Sequence, residues 1–204
     1  LDLGVSSAQL DIAERGFSYM KDGALDMRMN QAKGETAAEW LAQVSEDTLA
    51  FVLRAYGEER YAGRIAHAIC REREIKAITQ TTQLAELICR TMPPSSRREK
   101  QHPAKRSFQA IRIAVNHELD ELETFLEKIP FLMNPQGRIA VISFHSLEDR
   151  RVKTKMREWE KGCICPSDLP LCCCGRSSLG KALGRKGLVA GPEECARTPR
   201  SRSA

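Results

Sequence analysis

The run Arg138-Ile139-Ala140-Val141-Ile142-Ser143 carries no charge after Arg138 and leads directly into the polar stretch around His145 and Ser146. A short apolar run of this kind, bounded by the turn residues Asn134-Pro135-Gln136-Gly137, predicts a strand. Leu1-Asp2-Leu3-Gly4-Val5 reads the same way, as the end of a buried strand before a turn at Ser6-Ser7. Nearly continuous apolar character is what central strands of a parallel sheet display when both faces are covered. Two strands alone do not make such a sheet, and the first residue is Leu1 rather than Met. The expectation is therefore the C-terminal part of a longer α/β protein, with its remaining strands upstream and a helical insertion between the two that are present.

The insertion is legible from its spacing. Ala8 to Asn30 reads as irregular, with turns at Gly16 and Gly23. Beyond Glu35, Ser45 is placed to N-cap a helix whose stripe is Leu49, Val52, Leu53 and Tyr56. A second helix, from about Glu58 to Arg71, turns Tyr61, Ile65, Ala68 and Ile69 inward and Arg60, Arg64, His67 and Arg71 outward. A third follows Thr81 and ends before Pro93-Pro94, so residues 35–92 form a helical subdomain. After a linker rich in Pro, Ser and basic residues, Phe108, Ile111, Val115, Leu119, Leu122, Leu126 and Ile129 predict one amphipathic helix of six turns, closed by Pro130. Ser146 and Asp149 have capping-box spacing for a last helix reaching about Trp159.

Composition narrows the class. With 204 residues, 42% hydrophobic and 29% charged, the chain is not mainly disordered. No apolar run approaches the length of a membrane-spanning helix, and no signal-peptide pattern opens the sequence. Charge is uneven: Arg150 to Ala204 holds 13 Lys and Arg against 5 Asp and Glu, whereas the residues before it hold 19 against 22. A basic end on a near-neutral body suits a polyanion partner such as nucleic acid, or a solvated tail. Five of the 8 cysteines crowd into 163–174, which fits a reducing, cytoplasmic setting better than a disulfide scaffold. Cys163, Cys165, Cys172 and Cys174 have the spacing C-x-C-x6-C-x-C. Such pairs suit a tetrahedral zinc site or a reduced, metal-free loop alike, and no metal is assigned from spacing.

Ligands of open α/β sheets bind beyond the carboxyl ends of the strands. Asp2, Ser6, Ser7 and Gln9 follow the first strand, and Ser143, His145, Ser146, Glu148 and Asp149 follow the second. Asp2, between two leucines, either serves a ligand or caps a turn. His145 is a functional candidate or a turn anchor, and Ser146 is a cap rather than a nucleophile, having no identifiable base. The linker supplies Arg97, Arg98, Lys100, Lys105 and Arg106, with Arg112 further along, against Glu99. Cations at a helix N-terminus oppose the macrodipole, so these residues either receive a phosphate or pair with Glu99 or Asp26.

LDLGVSSAQLD at 1–11, ERGFSY at 14–19, LDMRM at 25–29, YGEER at 56–60, HPAKRSFQAIRI at 102–113, ISFHSLEDR at 142–150 and PRSRSA at 199–204 resemble the bacterial ribosomal RNA small-subunit methyltransferase H (MraW) family. The resemblance implies an α/β, Rossmann-like class I S-adenosyl-L-methionine-dependent methyltransferase core, incomplete here, with an inserted helical subdomain that contacts RNA. It implies N4-methylation of a cytidine in the decoding region of 16S ribosomal RNA, within the small ribosomal subunit. On this scheme residues 1–9 and 104–160 belong to the core, 10–103 to the insertion with its basic linker, and 161–204 to a Cys-rich basic tail. Asp2 and Gln9 match family residues that contact the cofactor. Lys105, Arg106 and Arg112 are the substrate-facing candidates, and Lys105 departs from the Thr usual at that place in the family. Asp2, Ser6, Ser143 and His145 are the candidates for orienting the reacting amine, in no settled order. The family's glycine-rich cofactor loop lies upstream of DLGVSS, so the chain as given is expected to bind S-adenosyl-L-methionine weakly or not at all. The competing expectation is a non-catalytic RNA-binding module. Coding sequence upstream of Leu1 separates the two, since a glycine-rich strand–loop–helix there marks the enzyme.

Overall fold

The computed structural model describes residues 1–94, 101–166, 169–184 and 187–198. Arg97, Arg98, Glu99, Lys100 and the PRSRSA motif at 199–204 lie outside the described residues. The chain divides into two compact units, Val5–Glu118 and a second formed by Leu1–Gly4 with Leu119–Ala204.

The first unit is helical: α1 (Ser7–Asp11), a 3-10 turn (Ala13–Arg15), α2 (Ala37–Gln43), α3 (Glu46–Gly57), α4 (Ala62–Ile75), α5 (Thr81–Thr91) and α6 (Lys105–Asn116). Local chemistry starts several of these. Ser6 caps α1 and Thr36 caps α2, each in a reciprocal capping box, with Gln9 and Glu39 respectively. Ser45 caps α3 by accepting the Thr48 N–H, as its spacing predicts. Leu49, Leu53, Ile65, Ile69, Leu84, Ile88 and Ile111 are fully buried and belong to one core. Helix α4 starts and ends four residues later than expected, at Ala62 and Ile75.

Helices α3 and α6 pack closely, and Gly57 makes that approach possible. A Cβ there would strike the Arg106 carbonyl and stand 3.1 Å from the Ala110 Cβ. This packing places residues 104–118 with the helical unit, although sequence assigned them to the core half.

The segment expected to be irregular, 8–30, is ordered by distant partners. Gly16, at φ +71°, presses against the Ala24 carbonyl and Asp26 amide, where a side chain would not fit. The Asn116 side chain donates to the Met27 carbonyl at 2.7 Å and accepts the Met29 N–H at 2.7 Å. Thr81, fully buried at the head of α5, donates its hydroxyl to the Lys21 carbonyl at 2.7 Å and accepts the Gly23 N–H at 3.1 Å.

The six-turn helix expected from Phe108 to Ile129 is two helices, α6 and α7 (Glu118–Leu132). His117 separates them in the left-handed region at φ +51°, with its N–H turned to the carbonyls of Ala114 and Ile113. Nor does Pro130 close the second helix. It sits inside the last turn, which runs on to Leu132.

The second unit contains most of α7 together with α8 (Ser146–Lys161) and α9 (Pro192–Arg197). Leu122, Leu126 and Val152 form its small core, with Leu3, Phe125, Val141, Met156 and Trp159 packed around them. The two predicted strands meet there in a single parallel bridge, Asp2 with Ile142. The Leu3 N–H donates to the Ile142 carbonyl at 3.0 Å and the Ile142 N–H to the Leu1 carbonyl at 2.9 Å. Among the described residues this rung stands in place of the expected sheet. Ile142 is 49% exposed, because no further described strand lies against it. No described helix is long and apolar enough to cross a membrane.

Candidate functional site

In the second unit the parallel bridge sets the start of one polar loop beside the other. Asp2 is exposed, and no hydrogen bond engages its carboxylate among the described residues. Beyond Ile142 come half-buried Ser143, exposed Phe144 and His145. The chain then enters α8, with His145 rather than Ser146 as its N-cap residue. Glu148 sets this register. Its side chain is 4% exposed, and its Oε2 accepts the backbone N–H groups of Phe144 at 3.0 Å and His145 at 3.4 Å. Its Oε1 lies 3.2 Å from His145 Nε2, close enough for an ion pair once the imidazole is protonated. The ring is 10% exposed, and the capping box of α8 brings the Glu148 backbone N–H to it as well.

The remaining candidates belong to the first unit. Ser6 and Gln9 face each other across the first turn of α1: Gln9 Oε1 accepts the Ser6 N–H at 2.8 Å, and Ser6 Oγ accepts the Gln9 N–H at 3.3 Å. The Gln9 carboxamide thereby keeps its NH2 group available. Lys105 and Arg106 open α6, whose first turn holds no acidic residue and whose N-cap, Ala104, offers no side-chain acceptor. Among the described residues neither cation has an ion-pair partner. Asp26 is engaged elsewhere, by Arg28. His102 orders the entry to this helix by stacking on Tyr19, with ring centroids 4.6 Å apart, and accepting the Ala104 N–H on Nδ1. Arg112 is committed to Glu118 through two hydrogen bonds of 2.7 and 2.9 Å.

A shallow groove of about 400 Å³ runs between α4 and α5. Arg64, His67, Arg71 and Arg90 line it, the first three being residues whose outward position the helical spacing predicts. Arg90 pairs with Glu72 at 2.6 Å and His67 with Glu46 at 3.2 Å, while Arg64 and Arg71 reach solvent.

Past α8 the four spaced cysteines converge. The sulfurs of Cys163, Cys165, Cys172 and Cys174 all lie within 4.8 Å of one another, and none forms a disulfide. The Ile164 and Arg176 backbone N–H groups hold the Cys174 thiol down to about 6, helped by Cys172. At Cys163 the Cys165 backbone N–H acts in the same direction, but hydrogen bonding with Cys172, Cys174 and Cys165 outweighs it and pushes that thiol up to about 11.

Two contributions escape the sequence. ISFHSLEDR contains two residue pairs at capping distance, His145 with Glu148 and Ser146 with Asp149, and residue preference favours the wrong one. Asn116, which organises the LDMRM segment, gives no sign of that role in the sequence, because its two bonds there, to Met27 and Met29, span more than 80 residues.

Comparison with known proteins first defines a class, the methylases. The chain belongs to the MraW methylase family, whose sequence model matches residues 1–204. It is 52% identical over 204 residues to the ribosomal RNA small subunit methyltransferase H of Symbiobacterium thermophilum, covering all of this chain and 64% of that protein. It is 55% identical over 205 residues to the protein of the same name from Nitrosococcus oceani, again covering 64% of it. With that of Pelobacter propionicus it shares 50% identity over 204 residues, 65% of the relative. The chain thus spans about 64% of the length of the curated relatives it matches.

Proposed function

We propose that this chain is the larger part of an enzyme that methylates N4 of a cytidine in 16S ribosomal RNA, on a Rossmann-like core and with S-adenosyl-L-methionine as cofactor. The observation that carries this is the Asp2–Ile142 bridge. It pairs the start of LDLGVSS in parallel with the start of ISFHSLEDR, so the two stretches run in the same direction, as strands do toward the ligand end of open α/β sheets.

The cofactor supplies an electrophilic methyl group on a sulfonium. The residues present fit it in donor and acceptor type: Asp2 offers an unengaged carboxylate, and Gln9 an amide NH2 whose orientation the Ser6 capping box fixes. The acceptor amine of cytosine is a poor nucleophile, because its lone pair is delocalised into the ring. Hydrogen-bond acceptors that take its N–H groups as the nitrogen pyramidalises favour the reacting geometry. Asp2, Ser143 and His145 in one unit and Ser6 in the other carry groups able to accept, and His145 is distinguished by its place beside the Glu148 carboxylate, 3.2 Å from Nε2. The base has to leave its stack to reach them. Lys105 and Arg106, at the positive end of α6, receive RNA phosphates, with Arg112 holding the next turn through Glu118.

The test is His145→Ala in the full-length enzyme. Methyl transfer to small ribosomal subunits, with the product nucleoside identified by mass spectrometry, should fall at least about tenfold while cofactor affinity stays within about twofold. Unchanged turnover removes His145 from the site, and methylation at another atom or base overturns the proposed reaction.

A further inference from the structure

The four converging cysteines form a site that the methyl-transfer chemistry does not use. Their geometry is specific. Sulfur–sulfur distances are 3.6 Å for Cys163–Cys172, 3.8 Å for Cys163–Cys174, 4.0 Å for Cys165–Cys172 and 3.5 Å for Cys172–Cys174. A tetrahedron of thiolates about 2.3 Å from a central zinc has edges of roughly 3.8 Å. These four separations lie within about 0.3 Å of that edge, and the remaining two are under 4.8 Å. These separations are too long for disulfides, whose sulfurs lie about 2.05 Å apart, and too short to enclose a multi-iron cluster.

The surroundings fit as well. The segment that carries both C-x-C pairs begins at the end of α8. Gly162, at φ +64°, makes the turn into it, and a Cβ there would meet the backbone of Ser177 and Ser178. The far side of the loop is tied back to the same helix by the Leu179 N–H and Ser178 hydroxyl, which both donate to the Trp159 carbonyl at 2.9 and 3.1 Å.

We propose that Cys163, Cys165, Cys172 and Cys174 bind one Zn2+ as a closed structural site. Binding takes all four sulfurs as thiolates and releases to solvent whatever protons they still carry. All four coordination positions are filled by sulfur, which leaves none for a substrate or a water, so the ion fastens the segment after α8 rather than taking part in transfer. Cys173 sits 3.8 Å from Cys165 but outside the group of four, which makes it an internal control.

The whole chain, purified without a histidine tag, should carry one zinc by elemental mass spectrometry. After chelation and reloading with Co2+ it should develop the intense visible absorption of a tetrahedral thiolate site. Cys172→Ser and Cys174→Ser should each weaken zinc binding at least about tenfold, and Cys173→Ser should leave it unchanged. Alkylation of the wild-type chain needs no variant: added Zn2+ should shield the four ligands and leave Cys173 reactive. Substoichiometric metal at zinc excess, stoichiometric iron, equal loss in Cys173→Ser, or no shielding overturns the proposal.

Discussion

Asp26 and Arg28, two residues apart in an irregular segment, form a two-point ion pair, Nε to Oδ1 at 2.7 Å and Nη2 to Oδ2 at 3.0 Å. Met27 between them holds φ +60° and is fully buried. Burial alone would push the Asp26 carboxyl up. Hydrogen bonds from the Arg28 and Gln31 side chains and the Arg28 N–H outweigh it and hold the group below the usual carboxylate range.

Asp26→Asn should therefore lose about 1.5–3 kcal/mol of stability near neutral pH, the scale of a hydrogen bond to a charged group. Because the folded carboxyl is shifted down, its contribution is complete above the unfolded value of about 3.9 and drains away as pH falls through the folded one. Urea melts of both proteins at neutral pH and at about pH 3 check this. The gap between them should narrow in acid, and a constant gap would assign the loss to packing instead.

The cap register of α8 gives a second contrast. Glu148→Ala removes the acceptor for two backbone N–H groups and should cost about 1–3 kcal/mol. Ser146→Ala, at an exposed position past the cap, should stay within about 0.5 kcal/mol. Thermal melts of both variants decide whether His145 or Ser146 starts the helix.

Reversing charge in the α4–α5 groove tests whether the proposed methyltransferase also uses Arg64 and Arg71 to hold RNA. Arg64→Glu with Arg71→Glu should weaken association with small-subunit ribosomal RNA. The dependence on log salt should flatten by about 0.9 for each phosphate that the protein no longer neutralises. Stability should hardly change, both residues being exposed. An unaltered salt slope in filter binding would take the groove out of the interface.

Two helix glycines should respond with opposite signs. At Gly57 the Arg106 carbonyl lies where a Cβ would go, so Gly57→Ala should destabilise by about 1–3 kcal/mol. Gly63, in the first turn of α4, has nothing within 4 Å of its Cβ position, and Gly63→Ala should stabilise by about 0.4–1 kcal/mol. Denaturant midpoints of the two variants give the comparison directly.

What was legible in the sequence depended on how local its cause is. Ser45 and the apolar stripe behind it define α3 because cap and periodicity both act within a few residues. The stripe from Phe108 to Ile129 misled because Val115 and Leu119 stay four apart across His117, so a left-handed break leaves no mark on the spacing. RIAVIS has the composition of a strand, but ladder hydrogen bonds belong to a pair of segments, and among the described residues this run meets Leu1–Leu3 through Ala140 and Ile142 alone. For Asp2 and His145 the sequence supplied residue type and place. The pairing of His145 with Glu148 emerges only once the register of α8 is known. The cysteine spacing left two alternatives open, and the sulfur–sulfur distances add the observation from which the zinc site is proposed.

Thr81 ties two stretches of backbone into one event. Its hydroxyl bridges Lys21 and Gly23, its own N–H donates to the Gly23 carbonyl at 3.0 Å, and the Leu25 N–H donates to the Thr79 carbonyl at 2.9 Å. Neither the 21–25 loop nor the first turn of α5 can expose its amides to solvent while the other stays closed. The amides of Gly23, Leu25 and Thr81 therefore belong to a single cooperative opening, exchanging deuterium with a shared free energy although nearly sixty residues of chain separate them.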